Sequence, residues 1–183
     1  MQGLFNFIAD IGSALEWLLP MFCYVGGSGF LIGGVYGIYQ RSAQANGLAS
    51  RPFVPELMIL AGATFLSFPQ FLNMGNQTLG FDSTASLSEG NAPAAVSIDA
   101  LTSAVSGGPV QVLTAILHLF RFYFMSYGAL IVYFAIIRQV GRARGINNSS
   151  TGLNMIMLAG GFFVMNADVI GPMLLQELNL TSS

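Results

Sequence analysis

The sequence has no lysine, and charged residues of either sign are scarce. Asp, Glu, Lys and Arg make up 8% of the 183 residues, whereas soluble domains carry about a quarter. The basic residues are six arginines, and the formal net charge is −2. So few charges cannot cover a soluble surface. They also argue against direct nucleic-acid binding, which needs a basic face.

Cysteine and histidine each occur once, which removes several classes of functional site. Cys23 lies in an apolar run, so it is expected to be a small buried hydrophobic residue and not part of a disulfide framework or a thiolate metal site. The sequence also lacks the HExxH motif, a Ser-His-Asp order and a carboxylate pair. It therefore predicts a protein that is not an enzyme and that has no cofactor and no metal.

Six glycines lie within the twelve residues 26–37, GGSGFLIGGVYG. A phosphate-binding loop would need a Lys-Ser/Thr pair, or a strand before the glycines and an acid after them. The residues between these glycines are mainly apolar. Gly29, Gly33 and Gly37 recur every four residues and would form one smooth stripe on a helix. Such a stripe lets membrane helices approach closely, so we expect helix packing through these three glycines.

Apolar stretches of about twenty residues, long enough to cross a bilayer, occur at 20–39, 54–72, 110–137 and 153–175. They predict an all-α membrane protein with four transmembrane helices in two tandem hairpins, at 20–72 and 110–175. A linker at 73–109 joins the hairpins, and a tail at 176–183 follows the second.

Residues 1–19 place apolar side chains at helical spacing, with Asp10 and Glu16 interrupting them. This pattern favours an amphipathic helix that lies on the membrane surface and turns at Pro20 over a fifth span.

The arginines are distributed unevenly along the chain. Arg41 and Arg51 lie between the first two spans, and Arg138, Arg142 and Arg144 lie between the last two. The linker has acidic residues and no basic one. By the positive-inside rule, both arginine loops face the cytoplasm. The linker and both termini then face the periplasm or the exterior.

The two hairpins resemble copies of each other. A shift of 98 residues without a gap superimposes Leu60-Ala61-Gly62 on Leu158-Ala159-Gly160 and aligns both polar loops. This indicates a parallel tandem repeat. The copies diverge at the glycine stripe, where Gly29 and Gly33 correspond to Tyr127 and Ile131.

His118, Arg121 and Asp168 fall within the two predicted spans of the second hairpin, at 110–137 and 153–175. His118 and Arg121 lie three residues apart, on one helical face near the outer end of the third span, and Asp168 lies in the outer half of the fourth. In one interpretation Arg121 reaches the headgroups and His118 is an interfacial polar residue. In another, Arg121 pairs with Asp168 and fixes the register of the hairpin. A proton or ion relay is a third, because ionisable residues inside membrane spans often have a function.

The first hairpin carries a resemblance to a known family. The segments MFCYVGGSGFLIGGVYGIYQ, Pro55-Glu56, LMILAGATFLSFPQFL and MGNQTLGFD, within about residues 20–80, resemble the DotE/IcmC and TraQ family. Those proteins are small inner-membrane components of type IVB secretion and IncI-type conjugation systems. The two-span pattern with a basic turn is also similar to that of VirB-type pilins.

The resemblance implies a non-enzymatic bacterial inner-membrane component of an apparatus that moves DNA or protein across the envelope. Its expected partners are membrane lipid, further copies of itself and other subunits of the apparatus. Two alternatives stay open. One is a pilin-like subunit of a conjugative pilus, and the other is a small ion or solute transporter with His118, Arg121 and Asp168 as its polar core.

Overall fold

A computed structural model describes residues 2–43, 52–81, 83–84 and 109–177. Every regular element in these residues is a helix. In chain order the seven helices are α1 (Gln2–Ser42), α2 (Val54–Leu66), α3 (Phe68–Thr78), α4 (Pro109–Leu119), α5 (Arg121–Ala143), α6 (Thr151–Met165) and α7 (Ala167–Glu177). Most of the predicted linker and the tail lie outside the described residues.

Two of the described helices could each cross a membrane by length and composition, namely α1 from Trp17 to Ser42 and α5 over its whole length. Two pairs of consecutive helices could do so together, although the axis bends by 93° between α2 and α3 and by 79° between α6 and α7. The described chain is therefore all-helical with two to four candidate spans, as expected of an α-helical membrane protein.

The sequence predicts one span for each of the second and fourth apolar stretches, but in the structure each stretch divides into two helices, at Ser67 and at Asn166. Ser67 Oγ donates a hydrogen bond to the carbonyl oxygen of Ala63, 2.8 Å away. Asn166 Nδ2 donates to that of Phe162 at 2.8 Å. Each side chain thus binds a carbonyl in the final turn of the preceding helix. Pro69, in the first turn of α3, sits where a proline is well tolerated.

The first helix also differs from its prediction. It continues through Pro20 as one helix of 41 residues, so the turn expected at Pro20 is wrong. A proline inside a helix removes one backbone hydrogen bond. Apolar membrane helices tolerate this loss when neighbouring groups satisfy the freed carbonyl.

The third apolar stretch divides at Phe120, and its long helix begins at Arg121 and not at Val110. The preceding segment forms the separate helix α4, which packs against α7. Arg121 therefore lies at the start of the candidate span α5 and not about eleven residues into it.

The described helices pack mainly as two pairs, α1 with α2 and α5 with α6, and α5 also contacts α1 and α2. Their shared core is rich in aromatic side chains. The Phe65 ring lies 4.8 Å from the Tyr133 ring and 5.8 Å from the Phe30 ring, measured between centroids. Cys23 is buried in this core, as the sequence predicts.

The breaks follow the predicted repeat closely. Asn166 lies 99 positions after Ser67, one more than the 98-residue shift that aligns the two halves. The helices α2 and α6 therefore both end in a sharp bend at nearly equivalent positions of the repeat. This correspondence could not be read from the aligned side chains, because a serine stands at one break and an asparagine at the other.

Candidate functional site

A cluster of polar side chains joins the two halves of the chain where α6 breaks. Asn166 Nδ2 donates a hydrogen bond to Asn76 Oδ1 at 2.9 Å, and Asn76 Nδ2 donates to the carbonyl oxygen of Ser83 at 3.0 Å. Ser83 Oγ donates to Asn166 Oδ1. Asn76 and Asn166 are both buried. These three residues form the polar cluster.

The polar cluster forms a closed ring, in which both amide groups serve as donor and as acceptor. A buried amide without partners costs roughly 1–3 kcal/mol, and the cost is high in a membrane, where water cannot replace the missing partner. Since the members satisfy one another, the arrangement fits a connector between α3 and the α6–α7 break better than a ligand site. The contact at Gly75 also shows that α3 lies close to α6, because a Cβ added there would overlap the Phe162 ring.

Beside the polar cluster, Arg121 and Asp168 form an ion pair. The distance from Arg121 Nε to Asp168 Oδ2 is 3.1 Å. The exposed fraction is 52% for the arginine side chain and 3% for the aspartate. Asp168 lies in the first turn of α7, where a negative charge is favourable to the helix dipole. The structure therefore brings together two of the three predicted polar residues, and their pairing links α5 to α7.

His118, the third of these residues, has an exposed side chain in the last turn of α4. The described residues contain no group of three or more His, Cys, Asp or Glu that could hold a metal ion. The arrangement of Arg121 and Asp168 can fix the position of α7 against α5. A proton or ion relay through His118 would need polar groups in addition to Arg121 and Asp168.

Two helices approach each other closely at a pair of glycines in each half of the described chain. A Cβ added to Gly27 would lie 3.0 Å from the carbonyl oxygen of Gly62, and one on Gly62 would lie 2.8 Å from that of Gly27. The second half repeats this contact. A Cβ on Gly128 would lie 2.5 Å from the carbonyl oxygen of Gly161, and one on Gly161 would lie 2.9 Å from that of Gly128. We call these two contacts the glycine crossings.

The predicted glycine stripe only partly coincides with the contact between α1 and α2. A Cβ on Gly33 would meet Met58 and one on Gly37 would meet Pro55, but one on Gly29 would meet nothing within 4 Å. Gly29 therefore does not pack against the described residues. Each helical residue turns by about 100°, so Gly29 points about 200° away from Gly27 at the crossing. The contact also includes Gly34, where an added Cβ would lie 2.8 Å from the carbonyl oxygen of Pro55.

The arginines of the two polar loops have different surroundings. Arg41 forms an exposed ion pair with Glu56, which joins the end of α1 to the start of α2. In the loop between α5 and α6, Arg142 Nη1 donates to the carbonyl oxygen of Ser149 at 2.9 Å. The backbone carbonyl oxygen of Arg138 accepts a hydrogen bond from Asn147 Nδ2 at 3.3 Å. Arg144 lies just after α5, and Arg51 lies outside the described residues.

Sequence reasoning missed Asn76, Ser83 and the contacts between the four crossing glycines in the described chain. Gly27 was noticed only as part of the glycine-rich run. Gly62 was noticed only as part of the repeat. A usable signal was present for the crossings, since each half has a glycine in both of its packed helices. Asn76 had a weaker signal, because a lone asparagine that follows a span is usually solvated, and its partner Asn166 is 90 residues away.

Comparison of the chain with protein-family models, with curated proteins and with solved structures found no match.

Proposed function

We propose that the chain is a non-enzymatic structural subunit of a transfer apparatus in the bacterial inner membrane. The apparatus would be of the type IVB secretion or IncI-type conjugation kind, whose DotE/IcmC and TraQ proteins the first half resembles. The observation that carries this proposal is the arrangement of polar groups. The members of the polar cluster satisfy one another, Arg121 and Asp168 do the same, and each set connects helices.

In the proposed membrane arrangement, each bent helix pair counts as one span, which gives four spans in two hairpins. α2 has 13 residues and α6 has 15, so each rises only about 20–22 Å at 1.5 Å per residue, less than the ~30 Å hydrocarbon core. Because the axis bends by 93° and 79°, the continuations α3 and α7 would add to the crossing only if both arms of each pair are tilted from the membrane normal, so each pair would cross obliquely. Both termini and the linker would face the periplasm, and the part of α1 before the candidate span Trp17–Ser42 would extend beyond the hydrocarbon core on that side.

The same observations support a scaffold over a small transporter. A transport site needs polar groups that can exchange their protein partners for a solute. Here the buried amides of Asn76 and Asn166 are used by each other, and Asp168 is held by Arg121. Arg121 also stands at the first residue of α5, near one end of a candidate span.

We propose that the subunit associates with copies of itself through the face of α1 that carries Gly29. Large apolar side chains on this face are exposed, with exposed fractions of 66% for Val25 and 71% for Ile32. Gly29 lies between them with open space before it. A glycine flanked by large apolar residues allows close approach of a neighbouring membrane helix.

Replacing Gly29 with leucine tests this interface. We expect the Gly29→Leu protein to keep its helix content and thermal stability in mild detergent, because the new side chain enters open space. Its oligomers should dissociate at least about tenfold more readily, which corresponds to ~1.4 kcal/mol. Sedimentation or size-exclusion chromatography with light scattering measures the oligomeric state.

Gly160 provides the matched control, because a Cβ there also meets nothing within 4 Å, but on α6. The Gly160→Leu protein should associate as the unmodified chain does if the interface lies on α1. Selective loss of association in this variant would instead place the interface on α6, where the exposed Ile156 and Phe163 flank Gly160. Normal oligomers of the Gly29→Leu protein would show that the proposed face contacts lipid only.

A further inference from the structure

An apolar groove of about 190 Å³ separates α2 from α6, with α5 at its base. Its rim includes Leu60 of α2, 64% exposed, and Met155 of α6, 54% exposed. These exposed rim residues show that the groove opens sideways, toward the surroundings of the helix bundle. It lies toward the helix ends that carry the α5–α6 loop, since Gln139 and Asn154 also line it.

The loop end of the groove holds a buried polar atom that has no partner. Asn154 Nδ2 donates hydrogen bonds to Gln139 Oε1 at 2.9 Å and to Ser149 Oγ at 3.1 Å. Among the described residues, nothing donates a hydrogen bond to the buried Asn154 Oδ1. Buried polar atoms nearly always have a partner, so this oxygen can accept a hydrogen bond from a donor that the described residues do not supply.

The loop beside the groove is basic. Residues 138–154 contain three arginines and no acidic residue. Arg142, Ser149 and Ser150 line an open polar concavity, and Ser149 connects it to Asn154. The guanidinium of Arg142 is exposed and uses Nη1 for Ser149, which leaves further N–H donors. In contrast, Arg41 in the other loop is already paired with Glu56.

We propose that this groove and the adjacent concavity together bind one anionic phospholipid that has a hydroxyl group in its head. An acyl chain would fill the apolar groove between α2 and α6. The phosphate would lie near Arg142, and a glycerol hydroxyl would donate to Asn154 Oδ1. Phosphatidylglycerol has all three features. The bound lipid would join the two halves of the chain on the side where the groove separates them.

Native mass spectrometry of the full chain in detergent tests the proposal with phosphatidylglycerol and with phosphatidylcholine of the same acyl chains. We expect one tight site for phosphatidylglycerol and binding of phosphatidylcholine that is at least about fivefold weaker, the factor given by one basic residue at an anionic surface. Arg142→Gln should remove this preference, whereas Arg41→Gln should leave it unchanged.

Substitutions at the rim test the groove itself. Met155→Trp and Leu60→Trp should each weaken the binding of phosphatidylglycerol about tenfold, the loss expected when roughly two methylene groups are displaced from an apolar site. Ile156→Trp is the matched control, because Ile156 neighbours Met155, is 70% exposed and does not line the groove. This control variant should bind the lipid normally.

Three results would overturn the proposal. The first is equal affinity for the two lipids. The second is unchanged lipid binding in both groove variants. If these variants change only the oligomeric state, then a second copy of the chain fills the groove. The third is full displacement of phosphatidylglycerol by an equal concentration of glycerol 1-phosphate, which would make the site one for a soluble phosphate and not for a lipid.

Discussion

Replacing Gly161 with leucine is expected to separate α5 from α6. A Cβ at this position already lies 2.9 Å from the carbonyl oxygen of Gly128 and 2.7 Å from Val132 Cγ2. The remaining atoms of leucine have no space unless the two helices move apart. Overpacking of a core typically costs about 1–3 kcal/mol. Because the obstacle here is partly backbone, we expect a loss of about 3 kcal/mol in the free energy of unfolding.

The neighbouring residue makes a strict control for this experiment. Gly160 has nothing within 4 Å of an added Cβ, so Gly160→Leu introduces the same side chain into the same helix without a clash. Unfolding in detergent by increasing fractions of SDS, followed by circular dichroism, measures both variants. Equal stability of the two would mean that α5 and α6 do not cross at Gly128 and Gly161.

Removing the charge of Arg121 is expected to destabilise the chain more than removing that of its partner. Arg121→Gln leaves the buried carboxylate of Asp168 without a counterion. Breaking a fully buried pair costs about 3–5 kcal/mol and an exposed one at most about 1 kcal/mol, so we expect roughly 1–3 kcal/mol for this half-exposed pair. Asp168→Asn removes the buried charge itself and should cost less.

A double-mutant cycle measures this interaction directly. The Arg121→Gln, Asp168→Asn double variant should be more stable than Arg121→Gln alone, because the buried position no longer carries an unpaired charge. The SDS unfolding titration gives all four free energies. If Arg121→Gln alone has the stability of the unmodified chain, then the arginine only contacts headgroups and Asp168 does not depend on it.

The sequence predicted the helical class and the position of the apolar segments, because hydropathy depends on composition over about twenty residues. It did not predict the breaks. Ser67 and Asn166 interrupt apolar stretches that differ little in composition from an ordinary span. A break there depends on side chains that bind particular backbone carbonyls, such as Asn166 with Phe162. Conversely, Pro20 predicted a turn that the helix does not make.

The site was predictable to different degrees for different residues. The pairing of Arg121 with Asp168 was one of three interpretations that the sequence left open, and it was possible because both residues lie in one predicted hairpin. The glycine stripe was a less accurate prediction, because spacing along a helix does not specify which face meets the partner. Gly29 fits the four-residue pattern and yet faces open space. To predict that Asn76 belongs to the site, one would have to know how the two halves of the chain pack together.

Cysteine accessibility at four positions tests most directly whether the bent pairs are spans. The only native cysteine, Cys23, can be replaced by serine, and single cysteines introduced at Ala45, Ser86, Asn147 and Ser183 can be labelled from outside intact bacterial cells permeable only at the outer membrane. A membrane-impermeant maleimide should label positions 86 and 183 and should leave 45 and 147 unmodified.

A different pattern would contradict the account. If only α1 and α5 cross the membrane, and each bent pair returns to the side from which it entered, then positions 45 and 86 would share one side, and 147 and 183 would share the other. Labelling at 147 and 183 with protection at 45 and 86 would therefore exclude four spans in two hairpins. Labelling at 86 and 183 alone is the result that the proposed arrangement predicts.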